Sequence, residues 1–292
     1  MNTHVIIGAS GQVGEHLMTV LTANGVRVMG TSYSYAVPDL PRLDIRDRAA
    51  VDAFLEQTRP DVVYLPASLT NVDYCELHPD EGYATNVLGV QHVVTGADRL
   101  GALVVYFSSD YIFDGEAGPY RETDPAHPLC VYGMQKLIAE HYVALHCRSS
   151  LIIRTTGVYG WERQGKNFVS RLITNLRAGQ TARVPIDQIG SPTYAPNLAA
   201  AVTELVLTGE TGVYHVSGDT CASRYDFACE AARVFGLDPG QIQGVSTAEL
   251  GQAAKRPLRG GLVVDKAAAA VHVSLLGYPA GLREMRAEKE FN

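Results

Sequence analysis

The chain has 292 residues, 46% hydrophobic and 19% charged, which suits a globular protein with a sizeable α/β core and room for an appended lobe. With 24 basic and 31 acidic side chains the net charge is −7, which excludes a broad basic field for nucleic acid. No run approaches the roughly 18 apolar residues of a membrane span, and the opening MNTHVIIGASG lacks the charged and long apolar regions of a signal peptide.

The first expected strand is His4–Ile7. Gly8-Ala-Ser10-Gly11-Gln12-Val13-Gly14 follows it and opens a helix over Gly14–Ala23. Glycines there permit a tight turn and close approach of backbone to phosphate, and the N–H groups at the helix start attract a pyrophosphate. A dinucleotide is therefore expected, with a tight structural turn as the bland alternative. A second strand, Arg27–Gly30, ends in Thr31, Ser32 and Tyr33. An NAD site usually carries an acid at this point for the ribose hydroxyl. Its absence favours NADPH, with hydroxyl donors from these three residues, although no arginine follows directly; NADH stays open. Asp44 and Ile45, after a possible further short strand, are candidates to clasp the adenine.

Asp47–Thr58 reads as a helix, Val62–Leu65 as a strand, Ala84–Leu100 as a helix and Leu103–Phe107 as a strand. Tyr132–Cys147 then reads as a helix and Leu151–Arg154 as a strand. Apolar strands without polar alternation, each followed by a helix, predict a parallel, doubly wound Rossmann-type sheet covered on both faces. After Thr156 the rhythm changes. Asn167–Arg177 and Asn197–Leu207 read as helices, Gly190–Pro196 as a turn and Gly212–Ser217 as a late strand. We expect a dinucleotide-binding domain over 1–156 and 194–218, and a small substrate lobe over 157–193 and 219–292. The five cysteines, Cys75, Cys130, Cys147, Cys221 and Cys229, are dispersed without a CxxC pair, which favours reduced thiols and a cytoplasmic protein.

Tyr132 and Lys136 are four apart on the expected helix and share a face. A nearby ammonium favours the phenolate and lowers the phenol pKa, suiting the tyrosine to proton transfer. Residues 107–115 read FSSDYIFDG directly after a strand, so Ser108 and Ser109 stand at the carboxyl edge of the sheet. Turn capping is the alternative role for both serines.

In these motifs the sequence resembles the extended short-chain dehydrogenase/reductase family, and within it the dTDP-4-dehydrorhamnose reductase group. The likeness is carried by GASGQVG (8–14), TNVDYCE (70–76), NVLGVQ (86–91), SSDYIFDG (108–115), PLCVYGMQK (128–136), GKNFV (165–169), DQIGSPTYA (187–195) and RP (256–257). The resemblance implies a catalytic set of Ser109, Tyr132 and Lys136, and reduction of a nucleotide-linked 4-keto sugar by NADPH. Tyr132 would protonate the developing alkoxide, Ser109 would bind the same oxygen, and Lys136 would hold the cofactor ribose. It further implies Ala67 and Asn86 beside the cofactor, Tyr111, Asn167 and Gln188 beside the sugar nucleotide, and Arg256 at the diphosphate of that nucleotide. Asn86 could instead cap a helix, and Tyr111 could simply pack. Asp110 is expected to fix its loop through backbone N–H groups. The oligomeric state, a homodimer included, is left open.

Two departures stand out. Gly157 occupies a position where rhamnose-forming relatives often carry a tryptophan against the sugar; the chain's single tryptophan, Trp161, follows four residues later and could fill the gap. His16 stands where some relatives place a glutamate that serves a magnesium site, so no metal is carried over. Other readings on the same scaffold are a non-catalytic NADP-binding regulatory subunit, as in the methionine adenosyltransferase β subunit, and a nucleotide-sugar epimerase.

Overall fold

The computed structural model describes residues 2–288, so residue 1 and the last four residues of the expected second lobe lie outside the described residues. In chain order the elements are β1 (Thr3–Ile7), α1 (Gln12–Ala23), β2 (Arg27–Thr31), α2 (Arg48–Thr58), β3 (Val62–Leu65), α3 (Val72–Leu77), α4 (Pro79–Tyr83), α5 (Val90–Arg99), β4 (Leu103–Ser109), α6 (Val131–His146) and β5 (Ser150–Thr155). They continue with β6 (Val158–Tyr159), α7 (Phe168–Arg177), β7 (Ala182–Pro185), β8 (Ile189–Gly190), β9 (Thr193–Tyr194), α8 (Ala195–Leu207), β10 (Gly212–His215), β11 (Ala222–Ser223), α9 (Arg224–Val234), β12 (Ile242–Val245), α10 (Asp265–Ala270) and α11 (Tyr278–Ala287).

Six strands form a wholly parallel sheet in the order β10-β5-β4-β3-β1-β2. Its strands are apolar along their length because both faces are covered. Ile6, Tyr64, Val105 and Ile153 face α1 and α8 on one side. Val5, Val63, Val104 and Ile152 face the helices α2, α5 and α6 on the other. Each fully buried aliphatic side chain contributes on the order of 1.5–3 kcal/mol through removal from water. A separate apolar cluster, with Tyr159, Trp161, Leu172, Phe227 and Leu282, lies among α7, α9 and α11. Among the described residues, no helix is long and apolar enough to cross a membrane.

Three local expectations change. The short strand before Asp44 is reduced to one parallel bridge between Ser32 and Arg42. The long helix expected over Ala84–Leu100 begins as a π-helical stretch, Ala84–Gly89, before α5. Such a stretch takes an extra residue per turn and redirects a side chain; here Asn86 faces inward, 1% exposed. The turn expected over Gly190–Pro196 holds the short β9 and the first turn of α8, where Pro196 needs no N–H partner.

The chain leaves β1 in one direction to β2 and returns to the other side at β3, so the crevice opens at the carboxyl ends of β1 and β3. Gly8 and Ala67 meet there: a Cβ on Gly8 would lie 2.9 Å from the Ala67 backbone. A Cβ on Gly14 would lie 2.3 Å from the Gly8 carbonyl oxygen, so α1 can pack on the turn only with glycine at that position. Gly14→Ala should therefore lower stability by roughly 1–3 kcal/mol, read as an earlier urea midpoint; an unchanged midpoint would show that this approach is not tight.

Candidate active site

The glycine turn is open at its phosphate end. Gly8 has a φ of 103°, its N–H donates to Thr31 Oγ1 at 3.3 Å, and the N–H of Ala9 donates to the Thr31 carbonyl at 2.8 Å. No side chain caps the N-terminus of α1. Its first amides are thus directed at the space above Gly11, where a pyrophosphate would be held. Around the rim, Gln12 donates to the Gly160 carbonyl, Ser10 accepts from Gln164 through its carbonyl, and Val13 packs against the core.

Beyond β2, Thr31 and Ser32 are buried, and Ser32 donates to the Leu40 carbonyl. Tyr33 is exposed and lies under two guanidiniums, Arg42 at 4.8 Å and Arg46 at 5.3 Å from its ring centroid. Arg46 also donates to the Tyr33 hydroxyl and pairs with Asp44 at 2.7 Å. That pairing draws the Asp44 carboxyl down to about 2. Among the described residues Arg42 has no carboxylate partner. Two cations beside hydroxyl groups fit a ribose 2′-phosphate; no arginine follows β2 directly, and the loop beyond it brings Arg42 and Arg46 back to Tyr33. Sequence spacing concealed the pair because residues 34–41 separate it from the strand. Ile45, 5% exposed, packs beneath Gly89 in the core.

Tyr132, Lys136 and Glu140 lie one helical turn apart on the buried face of α6. The Lys136 ammonium donates to the Phe107 carbonyl at 2.6 Å and to Ser68 Oγ at 3.4 Å, and lies 4.7 Å from the Tyr106 ring centroid. Asn86 accepts from Ser68 and from the Leu69 amide at 2.9 and 2.8 Å, and donates to Gln135 at 3.0 Å. It therefore fixes the groove around the ammonium rather than capping a helix. Burial brings Lys136 down to about 7, with Glu140 and then Cys75 acting in the opposite direction.

The Tyr132 phenol, 7% exposed, stands edge-on to Tyr111 with ring centroids 5.7 Å apart. Burial pushes its pKa above the ordinary phenol value; Ser109 lowers it, while Asp110 and Tyr111 raise it. This corrects the expectation that the lysine dominates. The ammonium is turned toward Phe107 and is itself hard to charge where it lies, so removal from water prevails. Ser109 donates to Asp110 Oδ1 at 3.2 Å and accepts from the Tyr111 amide. Asp110 is held by hydroxyls rather than mainly by backbone amides: Thr156 donates to its other oxygen at 2.6 Å, and burial raises its pKa to about 6. Ser108 Oγ is buried and has no hydrogen-bond partner.

Next to these groups lies a cavity of about 180 Å³, bounded by Asp110, Tyr111, Gly157, Phe168, Gln188 and Arg224, among others. Of the expected substrate residues, Tyr111 and Gln188 line it. Asn167 is engaged elsewhere, capping α7 through the Ser170 amide and donating to Gly160 and Glu162. Arg256, with a side chain only 7% exposed, pairs with Asp73 at 2.9 Å and donates to the Ala254 carbonyl. Trp161 does not replace the missing wall at Gly157: its indole donates to the Met285 carbonyl at 2.7 Å inside the lobe's apolar cluster. His16 meets the Trp161 carbonyl at 3.1 Å. Arg224, which carries no sequence signal, lines the same cavity.

A doubly wound sheet, an open glycine turn and a serine–tyrosine–lysine cluster at its carboxyl edge define an extended short-chain dehydrogenase/reductase. The family model described as RmlD substrate binding domain matches residues 2–290, and the chain belongs to that family. It is 33% identical to the dTDP-4-dehydrorhamnose reductase of Aggregatibacter actinomycetemcomitans, over 98% of this chain and 99% of that one. The Methionine adenosyltransferase 2 subunit beta of Xenopus laevis is 30% identical over 87% of this chain and 78% of its own. The crystal structure of dTDP-4-dehydrorhamnose reductase from Bacillus anthracis in complex with NADP superposes with a TM-score of 0.91 at 29% identity, covering 99% of this chain and all of that one.

The buried ammonium has a consequence for pH. The folded pKa of Lys136 lies below its ordinary 10.5, so between about 7 and 10.5 the unfolded chain binds more protons than the folded one. Stability therefore rises with pH in that window and is lost as pH falls through it. In urea titrations, wild type should gain about 2 kcal/mol over Lys136→Met between pH 7 and pH 9. Parallel curves would mean that the ammonium is hydrated in the folded state.

Proposed function

We propose that the protein is an NADPH-dependent reductase of a nucleotide-linked 4-keto-6-deoxy sugar, working as a dTDP-4-dehydrorhamnose reductase does. The observation that carries this reading is the side-by-side arrangement of Ser109, Tyr111 and Tyr132 beside a cavity, with Lys136 buried behind them and the glycine turn opening on the same sheet edge. Residues 1–156 and 194–218 would hold the dinucleotide and 157–193 with 219–292 the sugar nucleotide. The cofactor, when bound, supplies the hydride. Its pyrophosphate would lie on Gly8, Gly11 and the first amides of α1, its 2′-phosphate between Arg42 and Arg46, and its ribose by Lys136.

The chain's own groups handle the proton. Tyr132 carries its proton firmly, as a donor to the reduced carbonyl oxygen requires. Ser109, whose single hydroxyl proton is directed at Asp110 in the free protein, would turn that proton to the same oxygen as negative charge develops there. Asp110, held by Thr156, orients the Ser109 hydroxyl. The NADP complex of the similar Bacillus anthracis enzyme supports the cofactor, and the relatives' names support the substrate. A second reading, a regulatory subunit that binds NADP without turnover, is favoured by the likeness to the Xenopus protein. All five thiols are free, in keeping with a cytoplasmic site of action.

Purified protein should oxidise NADPH when supplied with dTDP-4-dehydrorhamnose, and Tyr132→Phe should lose about 100-fold or more in kcat while binding NADPH as before. Tight NADPH binding without turnover over a panel of nucleotide 4-keto sugars favours the regulatory reading. Separately, Arg42→Ala should weaken NADPH about tenfold and leave NADH unchanged, measured by nicotinamide fluorescence; equal loss for both would remove Arg42 from the 2′-phosphate.

A further inference from the structure

The cavity beside the catalytic cluster is lined by a cation that, among the described residues, has no side-chain hydrogen bond and no ion pair, although Asp110 lies on the same wall. Arg224, the first residue of α9, is half-buried and lines it. Its guanidinium lies 4.3 Å from the Phe168 ring centroid. Among the described residues its side chain makes no hydrogen bond and no ion pair; its backbone amide alone is engaged, with Gln188. Removing a guanidinium from water without an acceptor is costly, and proteins rarely tolerate it unless a ligand completes the site. Burial draws the Arg224 pKa below its ordinary value; Tyr111 and Asp110 act against burial, and the guanidiniums of Arg171 and Arg256 act with it.

Two of these neighbours are also cations. Arg171 stands three residues after Phe168 on α7, on the same helical face. It is exposed and has no carboxylate partner among the described residues. Arg256, 6.0 Å from the Tyr111 ring centroid, completes the trio, but its charge is matched by Asp73. Of the three guanidiniums Arg224 alone lines the cavity; Arg171 and Arg256 act on it through their charge, and among the described residues only Arg256 has a carboxylate partner. Arg224 and Arg171 together outweigh Asp110, so an anion completes the site, and a diphosphate offers oxygens for both guanidiniums. The planar fork of Arg224, oriented by the Phe168 ring, suits bidentate contact with phosphate oxygens.

We propose that Arg224, assisted by Arg171, is the principal diphosphate-binding residue for the sugar nucleotide, the role that the resemblance had assigned to Arg256. The assignment rests on the nucleotide-sugar reading above and sharpens it. Arg256 is a positioning residue, tied through Asp73 to α3 and packed against Tyr111. Sugar-nucleotide selection then depends on α9 and α7, both elements of the second lobe.

The test is calorimetric binding of dTDP, dTMP and thymidine to wild type, Arg224→Gln, Arg224→Lys and Arg171→Gln. Arg224→Gln should weaken dTDP at least about tenfold, weaken dTMP less, leave thymidine unchanged and leave NADPH binding intact. Arg224→Lys should recover part of the loss. Arg171→Gln, on an exposed helix surface, should weaken dTDP by about threefold. Wild-type affinity for dTDP in Arg224→Gln would overturn the proposal, as would an equal loss for thymidine, which would mean that the side chain acts on the base. Should Arg224→Gln fail to fold, undiminished dTDP affinity in both Arg224→Lys and Arg171→Gln overturns it instead. A wild type that binds dTDP with this pattern and reduces no keto sugar would sink the reductase reading and leave the diphosphate site standing.

Discussion

The site depends on keeping an ammonium out of water. Lys136 is 3% exposed, and its charge is shared among the Phe107 carbonyl, the Ser68 hydroxyl and the Tyr106 ring. Each acceptor is fixed in turn. Phe107 belongs to a central strand of the sheet, and Ser68 is clamped by Asn86 from the π-helical stretch. One turn further along α6, Glu140 receives two guanidinium nitrogens of Arg154 at 2.8–3.1 Å, and Arg154 also meets the Glu122 carbonyl and His215. This buried pair bonds α6 to β5. Removing either member would strand the other's charge in the core. The helix that carries Tyr132 is thereby held at a set height against the sheet.

The same arrangement explains why the tyrosine and lysine differ from the expected mutually tuned pair. Neighbouring charges act on a phenol only against the cost of burying the phenolate. Here Tyr132 and Tyr111 shield each other, and the ammonium faces the strand. In the free protein the phenol is a reluctant acid. That suits the proposed role, in which the phenol would retain its proton until a strongly basic alkoxide forms.

The second lobe contributes electrostatics of the other kind. Its apolar cluster absorbs Trp161, so the wall at Gly157 stays open; a Cβ there would meet only the Pro192 Cα, at 3.6 Å. Phe168, packed against the edge of this cluster, and Arg224 both line the cavity. The lobe thus combines a dry interior with a guanidinium that has no ion pair among the described residues at its cavity edge, an arrangement of a binding surface rather than of a folding core.

Periodicity and glycine spacing were enough to read the parallel sheet, the dinucleotide turn and the shared face of Tyr132 and Lys136, because these are local consequences of backbone geometry and apolar alternation. The resemblance carried Ser109 and Asn86 to the right neighbourhood. Several features were not legible. Arg42 and Arg46 reach Tyr33 across an irregular loop. Arg256 is consumed by Asp73, 183 residues away. Asn167 serves its own helix. Arg224 belongs to no motif and matters only because α7 and α9 converge. Pairings between distant side chains, and the balance between burial and neighbouring charge that sets each pKa, arise when the chain packs. Sequence by itself therefore determined the fold and the chemical inventory of the site; tertiary structure alone decided which charges are matched and which remain free, since a charge finds its partner through space and not along the chain.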